Sequence, residues 1–343
     1  MTQTVDSTKL APKSFRPGSY ALRDAWFPLV HTNQVRRSPV RRAIHGDPVV
    51  FYRDSDGAVR AATTTPPGVG REPKRAGFAA EYKQYPVIER YGYAWVWYGD
   101  EANASPELLP CIPHTPVEGM PRRFEATIVY DSTYELVCEN LLDLTHADFL
   151  HSKLTGDALS EDDVIEVEST SETVTMVRIA RGRPIPQMQK GFARGATTQN
   201  VRAVTITYVR SGLCVLHGDF NPGMSMPMIH PTNPESRIRC RVPAVFNPRY
   251  MPALGRAVFP LSAHPVGRQD NWAVRKQNLN YLNGTQWRED KVDLSSRFDK
   301  AGLRFRKVYQ QLVARQEQGD YSYLSDSGIA RDTSEELGLD RRA

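Results

Sequence analysis

Residues 138–152 read CENLLDLTHADFLHS, and this stretch sets Asn140, Asp143, His146 and His151 within a dozen positions of one another. The segment 134–149 is predicted helical, with Asp131, Ser132 or Thr133 as candidate N-caps. Asp143 and His146 are three apart, so they are neighbours on a helix, where a carboxylate can hydrogen-bond an imidazole and set its tautomer. His146 and His151 are five apart, about 140° round an ideal helix. Both can reach one ion only if the helix ends or distorts between them. Two neutral imidazoles and one carboxylate on one face of a metal leave three positions open, the arrangement non-haem Fe(II) uses. The ordinary alternative is a pair of capping or surface histidines at a helix end.

Outward from this stretch, residues 123–131 (RFEATIVYD) read as a strand, and β-rich segments follow at 163–180, 198–218, 236–247 and 269–283. A long amphipathic helix is predicted over about 286–318, with Phe298, Phe305, Val308, Tyr309, Leu312 and Val313 on one broad face. On the N-terminal side, residues 101–122 carry five prolines and suggest a boundary. Before it come an aromatic strand at 91–100, a loop at 63–77 and a hairpin at 49–59 turning at 54–57. Residues 1–18 are polar and read as a loose arm. The sum is an α+β plan.

The chain has 343 residues, 40% hydrophobic and 24% charged, inside the globular range. A surplus of 44 basic over 39 acidic residues is small and spread out. The densest basic run, 71–75 (REPKR), has no stacking aromatics beside it, which excludes a typical nucleic-acid binder. The four cysteines, Cys111, Cys138, Cys214 and Cys240, show no C-x-x-C or C-x-H spacing and read as reduced thiols. No apolar h-region opens the chain and no apolar run approaches roughly 18 residues. A cytoplasmic protein that neither enters a membrane nor binds nucleic acid is expected.

The pattern N-x-x-D-x-x-H-x-x-x-x-H, here ENLLDLTHADFLH, resembles the iron-site motif of Rieske non-haem iron oxygenases, and the full phrase that of their aromatic-ring demethylase branch. Residues 20–30 (YALRDAWFPLV), 46–59 (GDPVVFYRDSDGAV) and 85–97 (YPVIERYGYAWVW) are similar to the segments that open those proteins and flank their cluster site. The likeness covers about 20–330 with one hole. Family members carry C-x-H and C-x-x-H between the two flanking segments to hold a [2Fe–2S] centre. Here residues 60–84 contain neither Cys nor His. No [2Fe–2S] cluster is therefore expected in this chain.

The resemblance implies an N-terminal arm (1–18), a degenerate Rieske-like β domain without cluster ligands (19–115) and a helix-grip catalytic domain (116–343). It implies mononuclear Fe(II) held by His146, His151 and a carboxylate on the C-terminal helix, for which Asp299 in SRFDKAGLRF is the candidate. A competing register puts Val308 there and leaves no carboxylate. Asp143, with Asn140 beside it, takes the catalytic role of leading electrons to His146. The reaction implied is hydroxylation or oxidative O- or N-demethylation of a small aromatic or heterocyclic substrate by O2. Electrons come from NAD(P)H through a Rieske-bearing ferredoxin, a reductase or a paralogous α subunit, in a trimeric homo- or hetero-oligomer. The alternatives are a catalytically silent structural subunit and a hydrophobic-ligand carrier. His31, His45, His114, His217, His230 and His264 are read as structural, and the Met-rich stretch 218–231 as a packed loop or a pocket wall.

Overall fold

A computed structural model of the chain describes residues 15–69, 82–113, 123–152, 160–187, 189–248, 254, 260–282, 296, 298–321 and 329–339. Three antiparallel sheets and a few helices bear out the α+β reading. The first two sheets use β1 (Ala25–His31), β2 (Val40–Ile44), β3 (Asp47–Arg53), β4 (Val59–Ala62), β5 (Gln84–Tyr85), β6 (Val87–Arg90) and β7 (Tyr93–Tyr98). They run β1-β7-β6 and β2-β3-β4-β5. His45 and Gly46 turn the β2–β3 hairpin with φ of +50° and +93°, the backbone of a type I′ turn. The β3–β4 turn is closed by Asp54, whose Oδ1 accepts from the Asp56 and Ala58 amides. All six residues of β7 are buried. Its two indoles satisfy their N–H groups on backbone carbonyls, Trp95 on Arg90 and Trp97 on Asp100.

The third sheet combines β8 (Phe124–Tyr130) with β9 (Val164–Ser169), β10 (Thr173–Pro184), β11 (Thr198–Tyr208), β12 (Leu213–Asn221), β13 (Ser225–Pro231), β14 (Asn233–Ser236) and β15 (Arg239–Phe246). Its order is β14-β15-β13-β12-β11-β10-β9, with β8 also on β15. Cross-strand partners Arg178, Ala203, Gly218 and Met226 form one row across four strands, and Leu216, Met228 and Phe246 a second. Because side chains alternate along a strand, both rows point to one face, and that face holds the cavity described below.

Among the described residues five α-helices accompany the sheets: α1 (Tyr134–Leu142), α2 (His146–Leu150), α3 (Pro260–Leu282), α4 (Lys300–Glu317) and α5 (Ser334–Leu337). The expected face of α4 is real, since Phe305, Val308, Tyr309 and Leu312 are buried in one core with Val137, Met176 and Val242. The start of the predicted helix, through 295, lies outside the described residues. Of the expected arm, residues 1–14 also lie outside them. Phe15 is buried edge-on to Tyr309, and the Gly18 amide donates to Glu135.

Two expectations are corrected. The helix predicted over 134–149 is two helices, broken where the Asp143 carboxylate takes the Thr145 amide and hydroxyl. Of the segment 269–283, residue 283 lies outside the described residues, and 269–282 are not β but the second half of α3. Its buried positions, Gly267, Asp270, Val274, Asn278 and Tyr281, recur at helical spacing, yet only Val274 and Tyr281 are apolar. Trp272, Leu279 and Leu282 lie exposed instead. Hydrophobic periodicity was blind to a stripe made of Gly, Asp and Asn.

Candidate metal centre

His146, His151 and Asp270 form the one group among the described residues suited to hold a metal ion, their ligand atoms all within 4.8 Å of one another. Two helices bring them together. His146 opens α2, His151 follows its last residue, and Asp270 stands mid-way along α3. The required distortion is present: α2 stops at Leu150, and His151 sits at φ −114°, ψ 20°, outside helical geometry. The two imidazoles then lie edge to face, with centroids 5.3 Å apart.

Each imidazole is fixed through its Nδ1. The His146 Nδ1–H donates to the backbone carbonyl of Asp143, and the His151 Nδ1–H to Gln269 Oε1 at 2.7 Å. Both acceptors lack a proton, so each Nδ1 carries a hydrogen and each Nε2 is the nitrogen turned to the site. These Nε2 atoms face Asp270 Oδ1 at 3.5 and 3.0 Å. Asn140 Nδ2 donates to the same oxygen at 3.1 Å. Burial disfavours the Asp270 carboxylate, but the His151 hydrogen bond, both imidazoles and Asn140 more than offset it, so its pKa is lowered. Burial likewise opposes a charged His151, yet Asp270 and Gln269 raise its pKa. Two Nε2 atoms on rings held from behind and an ionised carboxylate are the donor set a divalent ion of imidazole–carboxylate preference requires, the ion displacing the proton on His151 Nε2.

The structure brings His146 and His151 together and places beside them Asp270 of α3, not Asp299. Asp299 is exposed at the start of α4, accepting from the Ser296 amide and hydroxyl at 2.6 and 2.9 Å. Val308 is core. The carboxylate of Asp143 engages Thr145, and it is the main-chain carbonyl of Asp143 that meets His146. Asp270 was missed because its stretch, GRQDN, sits in a helix hidden from hydrophobic periodicity. The available signal was G-x-x-D-x-x-x-V-x-x-x-N-x-x-Y at helical spacing.

The three groups border a cavity of about 240 Å³, near the small end of ligand pockets, which run from roughly 300 to 1,000 Å³. Its walls are mainly apolar, including Leu144, Ala180, Leu216 and Phe246. The stretch 218–231 is not a packed loop: Gly218, Phe220, Met226, Met228 and His230 all line the cavity. His230 faces this cavity. Burial lowers its pKa to about 4, keeping the ring neutral, and its Nδ1 has no protein partner. Oε1 of Gln199, also on the wall, has none either. His217 keeps the structural role expected of it, bonded to the Leu337 carbonyl and Ser225 Oγ.

The family model described as "Vanillate O-demethylase oxygenase C-terminal domain" matches residues 130–315. Among curated proteins, the chain is 25% identical over 214 residues to the oxygenase component of dicamba O-demethylase from Stenotrophomonas maltophilia, covering 52% of this chain and 61% of that protein. It is 25% identical over 206 residues to the vanillate O-demethylase oxygenase subunit of Pseudomonas sp. (strain HR199 / DSM 7063), covering 50% and 57%. The chain thus spans about three fifths of the length of these relatives. Among solved structures, dicamba monooxygenase bound to 3,6-dichlorosalicylic acid superposes with a TM-score of 0.74 at 19% identity, over 86% of this chain and 98% of that one. Dicamba monooxygenase with non-haem iron and dicamba superposes at 0.69 and 17%, over 87% and 99%. These likenesses concern the fold.

Proposed function

Because the chain belongs to the family of vanillate O-demethylase oxygenase C-terminal domains, we propose that it is the oxygenase component of a multicomponent system, holding one Fe(II) on His146, His151 and Asp270. The observation that carries this reading is the convergence of two Nε2 atoms and one carboxylate oxygen at the edge of an apolar cavity. A ferrous ion bound there supplies O2 activation and oxidation of a substrate C–H bond, which for an O- or N-methyl group ends in loss of formaldehyde.

The chain's own residues do the rest. Asp143 and Gln269 hold the imidazole tautomers, and Asn140 holds the carboxylate. The cavity walls displace water from a small, largely apolar substrate, aromatic or heterocyclic in class. The neutral ring of His230 and the amide oxygen of Gln199 are free to hydrogen-bond a polar substituent and fix its orientation. His146, whose side chain is 21% exposed, is the ligand nearest solvent, so electrons enter past Asp143 and His146. With neither Cys nor His in 60–84, the donor is a separate Rieske-bearing ferredoxin, reductase or paralogous subunit.

The test is anaerobic reconstitution with Fe(II), assayed for iron and acid-labile sulfide. About one iron per chain without sulfide is expected, lost in Asp270→Ala and kept in Asp299→Ala. No specific iron in the parent protein overturns the reading. Loss of iron in Asp299→Ala alone would return the carboxylate to α4.

A further inference from the structure

Arg178, on β10, reaches across the cavity wall to the segment that carries His146. Its Nη1 donates to the Leu144 carbonyl at 3.1 Å, and its Nη2 to Asp148 Oδ2. Nε and Nη2 both donate to Asp163 Oδ2, at 3.2 and 2.6 Å. All three side chains are buried, exposed by 8% for Arg178, 7% for Asp148 and 1% for Asp163. Leu144 and Asp148 lie two residues either side of His146. The guanidinium therefore grips the chain on both flanks of that histidine, one contact to main chain and one to side chain.

The segment needs an external hold. The α2 helix has five residues and no side-chain cap on its first turn. Isolated helices shorter than about 12 residues are marginal even in favourable sequences. A helix this short holds its own ends weakly, yet both candidate ligands sit at those ends. Arg178 has spent its Nε, its Nη1 and both directions of its Nη2 on this cluster, so it is poorly placed to bind a substrate anion although it lines the cavity. Only a planar fork can meet a carbonyl and two carboxylates at once, and a lysine ammonium reproduces at most part of this.

We propose that Arg178 is a positioning residue for the metal centre, setting the distance and angle between His146 and His151 through Leu144 and Asp148. This rests on the reading of His146, His151 and Asp270 as a metal site. A purely structural role would cost stability alone, so the test compares two buried Arg–carboxylate clusters. Arg178→Lys and Asp148→Asn alter this one. Arg210→Lys alters the buried Arg210–Glu172 pair, which takes no part in the cavity.

Co(II) affinity and the Co(II) visible absorption spectrum are measured alongside thermal melting. Arg178→Lys should weaken Co(II) binding by about 10–100-fold, the usual cost of losing a partner that orients a ligand, and should alter the Co(II) bands. Asp148→Asn, which leaves Asp163 on the guanidinium, should give the smaller loss. Arg210→Lys should lower the melting temperature while keeping the parent affinity and spectrum. If the Arg178 and Asp148 variants bind Co(II) as the parent does, the clamp serves only the fold and the proposal is wrong. If the parent itself takes up no Co(II) or Fe(II), the metal reading fails first and the proposal with it.

Discussion

Asn140 and Asp270 meet across two helices, the Asn140 amide donating 3.1 Å to the carboxylate oxygen that both imidazoles face. That hydrogen bond orients the Asp270 carboxylate and adds to the larger effect of His151 and His146 in keeping it ionised. Asn140→Ala removes it without touching a ligand. Metal affinity should drop about tenfold, with little change in the circular dichroism spectrum. A metal titration checks this, and parent-like affinity would show that the α3 backbone alone orients Asp270.

Asp143 offers two groups to the site, and they separate cleanly. Its carbonyl holds His146, while its carboxylate holds Thr145. Asp143→Asn keeps the carbonyl and an acceptor oxygen for the Thr145 amide. Iron content should therefore stay near the parent level, while turnover driven by a Rieske donor should fall. Iron loss in this variant would mean that the carboxylate, through the 143–145 break, shapes the site itself.

What the sequence made legible follows from how each element signals. The hairpin ending at Ala62 and the buried face of α4 announce themselves, because turn chemistry and apolar spacing are local. His146 and His151 were legible through their spacing to Asn140 and Asp143. Asp270 was not. Its helix buries Gly267, Asp270 and Asn278 for close approach and polar contact, so no apolar stripe marks it. The D-K phrase in SRFDKAGLRF points to Asp299 by resemblance, but that carboxylate does local turn work. The role of Arg178 was likewise invisible, since β10 meets α2 only in the folded chain.

Two buried imidazoles in the N-terminal sheets set an acid limit on stability. Burial lowers His31 and His45 to about 4 from an ordinary value of 6.5, Arg charges adding to the effect and Glu125 or Asp47 opposing it. In the unfolded chain both protonate near 6.5. The unfolded state thus binds protons first, and the stability present above pH 6.5 is lost as pH falls through 6.5 towards 4. Each full shift corresponds to roughly 3 kcal/mol. His31 stacks on Tyr93 and its ring nitrogens make no hydrogen bond, Glu125 Oε1 lying 3.9 Å from Nδ1, so His31→Phe keeps the stack. His45 has φ +50° before Gly46, so His45→Asn keeps a favoured turn dipeptide. Urea unfolding at pH 7.5 and pH 5 should show a smaller loss for the double variant than for the parent. An identical loss would assign acid sensitivity to other groups.

Gly267 stands one turn before Asp270 on α3, against Ile128 of β8. A Cβ there would lie 3.0 Å from Ile128 Cγ2 and 3.1 Å from its Cδ1. In an exposed helix Gly→Ala gains about 1 kcal/mol, but here the methyl group meets a stiff β-branched side chain. One of the two must give by a few tenths of an ångström, and to the extent that α3 gives it carries the Asp270 carboxylate with it. Gly267→Ala should therefore weaken metal binding by about tenfold, and Ile128→Ala in the same chain should restore most of it by making room. Ile128→Ala alone should leave affinity unchanged and lower stability by about 2–4 kcal/mol. A double-mutant cycle of metal affinity measures the coupling. Additive effects would mean that Asp270 is placed by α1 and Asn140, not by the seat of α3 on β8.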